Sequence, residues 1–102
     1  MSKSRTEIKH YAQLFKALSN PHRLAIFKVL TSCCPPGTVC DIEAASRCVG
    51  DLGDALDIAA STVSHHLKEL NNAGLIHMER KGKQVMCRVD PETLQRLSGY
   101  FD

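Results

Sequence analysis

Apolar residues recur every three to four positions at Ile8, Tyr11, Ala12, Phe15 and Leu18, which predicts an amphipathic helix from Thr6 to Ser19. Asn20-Pro21 restarts the chain, with Asn as N-cap and Pro at the first helical position. Leu24, Phe27 and Leu30 mark the inner stripe of this second helix, which fades near Ser32. Cys33-Cys34-Pro35-Pro36-Gly37 ends it, since two prolines and a glycine do not continue a helix. Residues 35–46 read as a loop with a short turn at Asp41–Ala45. Ser46 is then the expected N-cap of a third, short helix carrying Val49, Leu52 and Leu56. Asp57–Ala60 reads as a brief turn.

From Ser61 to Gly74, Val63, Leu67 and Leu70 fall at i, i+4 and i+7, one apolar stripe of a helix. Ser61, His65, Lys68 and Asn72 point to the opposite side, with Thr62 and Glu69 on a flank. Gly74 suits a helix stop, because it takes the left-handed conformation without a Cβ clash. The polar face has hydroxyls, an imidazole, an amide and a cation, which contact base edges and phosphates when a helix lies in a major groove. An ordinary amphipathic surface helix has the same periodicity. Two helices joined by a tight turn, the second polar on its free face, form the helix-turn-helix pattern.

After Gly74 the period changes to two. Leu75–Arg80 and Gln84–Val89 read as strands joined at Lys81-Gly82-Lys83. Ile76 and Met78 face one way, and Val85, Cys87 and Val89 alternate inward. Asp90-Pro91-Glu92 caps a last helix with Leu94, Leu97 and Tyr100–Phe101 as its apolar edge. The expected fold is mostly α with a small β-hairpin wing, a winged helix-turn-helix. It forms one domain over residues 6–101, after a frayed tail at 1–5. Both terminal helices hold more large apolar residues than such a core needs, so a homodimer using 6–19 and 91–101 is expected.

A chain of 102 residues, 43% hydrophobic, has room for one small core. Its net charge of +2 is too small to signal nucleic-acid binding by itself. The distribution is more informative: Lys68, Arg80, Lys81, Lys83 and Arg88 face only Glu69 and Glu79 over 60–88, whereas 89–102 is net acidic. No apolar run approaches a membrane span and no signal-peptide pattern opens the sequence, so a cytoplasmic protein with no membrane partner is expected.

Certain motifs are similar to those of the ArsR/SmtB family of metal- and metalloid-responsive repressors. They are Leu18-Ser19-Asn20-Pro21-His22-Arg23-Leu24-Ala25-Ile26, Val49-Gly50-Asp51-Leu52, Ser61–Leu70 with Ser64, His66 and Leu67, Ala73-Gly74-Leu75-Ile76, and the Arg80–Lys83 hairpin. The similarity covers roughly residues 8 to 100. It implies a homodimer held by its first and last helices, bound to double-stranded operator DNA without inducer and released with it. Cys48-Val49-Gly50-Asp51-Leu52 resembles the family's metal box, Cys-Val-Cys-Asp-Leu, with Gly50 in place of one cysteine. Residues 91–102 contain no histidine, so the zinc site some members build on the last helix is not expected. Ala59 stands where the family often has a capping Ser, a role Ser61 can partly assume.

Two groups of side chains are the candidate sites. Ser61, Thr62, Ser64, His65 and Lys68 are expected in the major groove, with Arg80, Lys81 and Lys83 on phosphates or the minor groove. Cys33, Cys34, Cys40 and Cys48 crowd into a short segment, and a structural disulfide framework is not expected of them. Thiolates select soft ions, so three of these four are expected to capture a thiophilic metal or metalloid within one subunit, As(III) first and Cd, Zn or another soft metal as alternatives. Cys48 is taken to begin the third helix, with Cys40 on the loop before it. The rival reading is a thiol redox switch, which needs two cysteines within disulfide reach. The cysteine spacing does not match a four-cysteine zinc site. Cys87 reads as a small hydrophobe, dispensable for sensing.

An enzyme is not expected. Ser64 and His65 are adjacent on a helix and splay apart, and no phosphate loop or metalloprotease motif is present. His66 borders the packed face and His22 opens its helix, both structural roles; no organic cofactor is implied.

Overall fold

The computed structural model describes residues 5–52 and 60–102, and its elements run α1 (Arg5–Ala17), α2 (Pro21–Cys33), β1 (Val39–Asp41), α3 (Ile42–Leu52), α4 (Ala60–Ala73), β2 (Ile76–Lys81), β3 (Gln84–Val89) and α5 (Pro91–Ser98). Asn20 caps α2 as its sequence position predicts: its side chain accepts from the Arg23 N–H at 3.1 Å, and Pro21 fills the first turn. Gly74, at φ +86°, ends α4 in the left-handed region, and the Leu75 N–H returns to the Leu70 carbonyl at 3.0 Å.

The three strands form an antiparallel sheet in the order β1-β3-β2. Lys81 pairs with Gln84, so a two-residue turn at Gly82-Lys83 closes the wing, with Gly82 at φ +63°. Ile76, Cys87 and Val89 turn to the core with Leu75, and meet Leu14 of α1, Ile26 and Leu30 of α2, Val49 of α3, and Leu67 and Leu70 of α4. α5 has no fully buried residue; Leu94 and Leu97 lean on the core while Tyr100, just beyond the helix, stacks on Tyr11 at 4.4 Å and on Phe15 at 5.5 Å. Ile8, Phe15 and Phe101 remain exposed on these terminal segments.

Three sequence expectations need correction. Val39–Asp41 is a strand, although its three residues have no alternation to reveal it; pairing with β3 makes it one. α3 starts at Ile42, not after Ser46, because the Asp41 carboxylate accepts the Glu43 N–H at 3.2 Å and opens the helix there. Cys48 therefore sits within α3 and Cys40 within β1. Leu56 and most of the expected Asp57–Ala60 turn fall outside the described residues; Ala60 itself already belongs to α4.

Candidate nucleic-acid interface and thiol cluster

The inner stripe of α4 is buried as its periodicity requires: Val63, Leu67 and Leu70 lie in the core, and His66 joins them at 5% exposure. The other face is open. Ser64, His65, Lys68 and Asn72 are exposed, Thr62 is half-buried on the flank, and Ser61 lies in the first turn. Arg80, Lys81 and Lys83 are all exposed at the wing, where the Arg80 Nε donates to the Gly82 carbonyl at 3.5 Å. The Met78 N–H donates to Asn71 Oδ1 at 3.0 Å, which pins the first strand of the wing to the last turns of α4. Helix and wing thus form one supported, basic, polar surface. Hydroxyl, imidazole and ammonium groups of this kind can bond to base edges and phosphate oxygens.

Arg23 is the supporting residue that periodicity does not reveal. Its Nε donates to His66 Nδ1 at 3.3 Å, and one terminal nitrogen donates to the Ala17 carbonyl at 3.1 Å. It thereby ties the end of α1, the start of α2 and the buried side of α4 together. The sequence hints at it only through its place two residues after Pro21, within the Leu18–Ile26 motif.

His66 accepts at Nδ1, so its ring is neutral. Burial, then the Arg23 charge, then His65 and His22, push its pKa below the ordinary value, against a smaller upward pull from Glu69. Unfolding raises that pKa to about 6.5, so the unfolded chain binds protons the folded chain refuses once pH falls below that value. Stability is expected to be level above about pH 6.5 and to decline as pH drops toward the folded pKa. Urea midpoints at stepped pH should show this loss in the wild type and a smaller one in His66→Gln; parallel curves would assign the loss to another group. Asp90 acts in a lower window. Burial alone would raise its pKa, but the Thr93 hydroxyl, His77 and Arg88 more than offset this and hold it below the usual carboxylate range.

The cysteines meet in pairs. Cys33 at the end of α2 is bridged to Cys48 of α3, with Cα atoms 5.9 Å apart, and Cys34 to Cys40 of β1, at 6.1 Å. Both separations lie in the ordinary disulfide range. The expectation that the cluster forms no disulfides is therefore not what the structure presents. That expectation rested on the reducing compartment implied by the lack of a signal-peptide pattern, whereas packing of α3 and β1 on the end of α2 brings the partners together. A single site drawing three thiolates from these four is likewise not displayed. Among the described residues, no group of three or more His, Cys, Asp or Glu is set to hold an ion with the bridges in place. Cys87 is buried and free, and its desolvation pushes the thiol pKa up.

Residues 42–78, from α3 into the first strand of the wing, match the family described as bacterial regulatory protein, arsR family. The chain is 36% identical over 98 residues to the arsenical resistance operon repressor of Bacillus subtilis, covering 95% of this chain and 83% of that one. It is 36% identical over 85 residues to the HTH-type transcriptional repressor SmtB of Mycobacterium tuberculosis, covering 83% of this chain but only 54% of the relative's length. Among solved structures it resembles a homodimeric winged helix-turn-helix DNA-binding domain of Mycobacterium bovis, a possible ArsR-family regulator. That match has TM-score 0.61 and 25% identity, covering 95% of this chain and 82% of the other.

Proposed function

We propose that this chain, which belongs to the arsR family of bacterial regulatory proteins, is an operator-binding repressor switched by the chemical state of Cys33, Cys34, Cys40 and Cys48. The family consists of DNA-binding transcriptional regulators, not enzymes, and the winged helix-turn-helix fold agrees with it. The working unit is one domain over 6–101, paired as a homodimer in the cytoplasm through the first and last helices. Among the described residues, no helix is long and apolar enough to cross a membrane. Ser61, Thr62, Ser64, His65 and Lys68 read the major groove, and Arg80, Lys81 and Lys83 hold phosphates or the minor groove.

This interface makes two separable demands. Lys81→Ala with Lys83→Ala removes phosphate partners, so binding weakens for every sequence and the salt slope shrinks by roughly 0.9 for each phosphate no longer neutralised. His65→Ala costs about 1–3 kcal/mol and relaxes sequence preference instead. Fluorescence anisotropy with operator and scrambled duplexes over a salt series checks both. Full affinity and slope in the wing variant would remove the wing from the DNA interface.

The observation that supports a thiol switch is the convergence of all four clustered cysteines on the end of α2. In the reduced chain these thiolates take up a thiophilic metal or metalloid, As(III) first, as the inducer; the arsenical resistance repressor among the relatives points the same way. Binding that draws β1 and α3 against α2 shifts the geometry of the reading helix. A hundredfold preference of the ion for the released form supplies about 2.7 kcal/mol per site. The test is operator release by arsenite from reduced protein, comparing wild type with a variant in which all four cysteines are Ser. The variant should bind DNA and ignore arsenite; release from it would place the sensor elsewhere.

The two disulfides favour a second reading, release by oxidation. A hydroperoxide accepts two electrons from each dithiol, giving one disulfide, an alcohol and water. Release by oxidant that a dithiol reverses, with no metalloid present, would select this reading over the first.

A further inference from the structure

Cys40 and Cys87 are directly opposed in the β1–β3 ladder. Directly opposed residues of an antiparallel pair share a sheet face with Cβ atoms about 4.5–5.5 Å apart. Cys87 faces the core at 0% exposure, so Cys40 leans toward the same side. Cys34 approaches from the end of α2. It is also fully buried, reaches Cys40 across a Cα separation of 6.1 Å, and sets its Sγ 3.7 Å from the Cys87 carbonyl and 3.1 Å from that of Thr38. Three sulfur-bearing residues from three elements thus converge beneath the sheet. Cys33 and Cys48 lie half-buried on the α2–α3 seam as a pair of their own.

We propose that, once reduced, Cys34, Cys40 and Cys87 form a buried three-thiolate site for a trivalent metalloid. The inference rests on the reading of the clustered thiols as the sensor and gives that sensor a third sulfur from the wing. Arsenious acid exchanges its three hydroxyls for three thiolates. Three As–S bonds form, three S–H and three As–O bonds break, and three waters leave with arsenic still trivalent. The raised pKa of the Cys87 thiol is compatible with this, because each proton departs with a hydroxyl. The segment 35–38 between α2 and β1, beside these sulfurs, is exposed throughout. An ion held here joins α2, β1 and β3, so it acts on the wing as well as on the helices.

The site is also chemically isolated. Replacing Cys33 and Cys48 with Ser leaves a chain whose only cysteines are Cys34, Cys40 and Cys87. With inorganic arsenite as the probe, X-ray absorption on the reduced C33S/C48S protein should show one arsenic per chain bound by three sulfurs. Adding Cys87→Ala, which deletes only a small buried sulfur, should leave two sulfurs and an oxygen. Two sulfurs in C33S/C48S, or three after loss of Cys87, would overturn the assignment. Operator release from wild type is read separately. Release by arsenite with only two sulfurs in C33S/C48S would sink this site and leave the proposed function standing. Three sulfurs without release from wild type would keep the site and sink the function.

Discussion

Leu67→Ala is expected to cost about 2–5 kcal/mol, a large part of what a domain of this size has to lose. Leu67 is 1% exposed and lies in the core between α1, α2, α3 and the sheet. Truncation leaves a cavity that rigid neighbours on several elements cannot close. Its sequence neighbour supplies the contrast. Lys68 is exposed, so Lys68→Ala should stay within about 0.5 kcal/mol of wild type in stability. On the proposed DNA interface it should nevertheless weaken operator binding, because one cation is withdrawn from that face. Urea midpoints and operator affinities of the two variants, measured together, separate holding the helix from using it. Equal stability losses would show that α4 is not divided into a held inner face and a free outer one.

Reduction of the fully bridged chain is expected to have the second large effect. The Cys33–Cys48 bridge spans 15 residues of sequence. Closing a loop of that length removes about 3 kcal/mol of chain entropy from the unfolded state, on the loop-entropy account. The Cys34–Cys40 bridge, with a separation of 6, is nested inside it and adds less than it would alone. The urea midpoint should therefore fall when a phosphine reductant is added. Most of that fall should already be present in C33S/C48S before any reductant. A midpoint that ignores the reductant in wild type would mean that the α2–α3 bridge does not form in solution. The Cys34–Cys40 bridge uses two of the three sulfurs proposed for the metalloid, so oxidation of that pair and capture of the ion compete for the same thiols.

Much of the candidate DNA surface was legible from sequence because its determinants are local. The stripe Val63, Leu67, Leu70 decides which side of α4 is held, and so leaves Ser64, His65 and Lys68 outside. Alternation and Gly82 likewise identify the hairpin to within a residue of its ends. Arg23 was not legible in the same way. Its value lies in reaching Ala17 and His66 at once, 6 and 43 positions away, and no period in the sequence encodes that meeting.

The sequence by itself determined the order of the helices and the wing hairpin and the faces of α2, α4 and the wing, since helix and strand periodicity, the Asn20-Pro21 cap and Gly74 act within a few residues. Only the tertiary structure decided that Val39–Asp41 is a strand and that the cysteines partner as Cys33–Cys48 and Cys34–Cys40. It alone set Cys87 opposite Cys40. The physical reason is that a three-residue strand has no stability of its own and a cysteine has no partner until packing supplies one. Both depend on where α2, α3 and β3 come to rest, which is fixed by burial of the whole core.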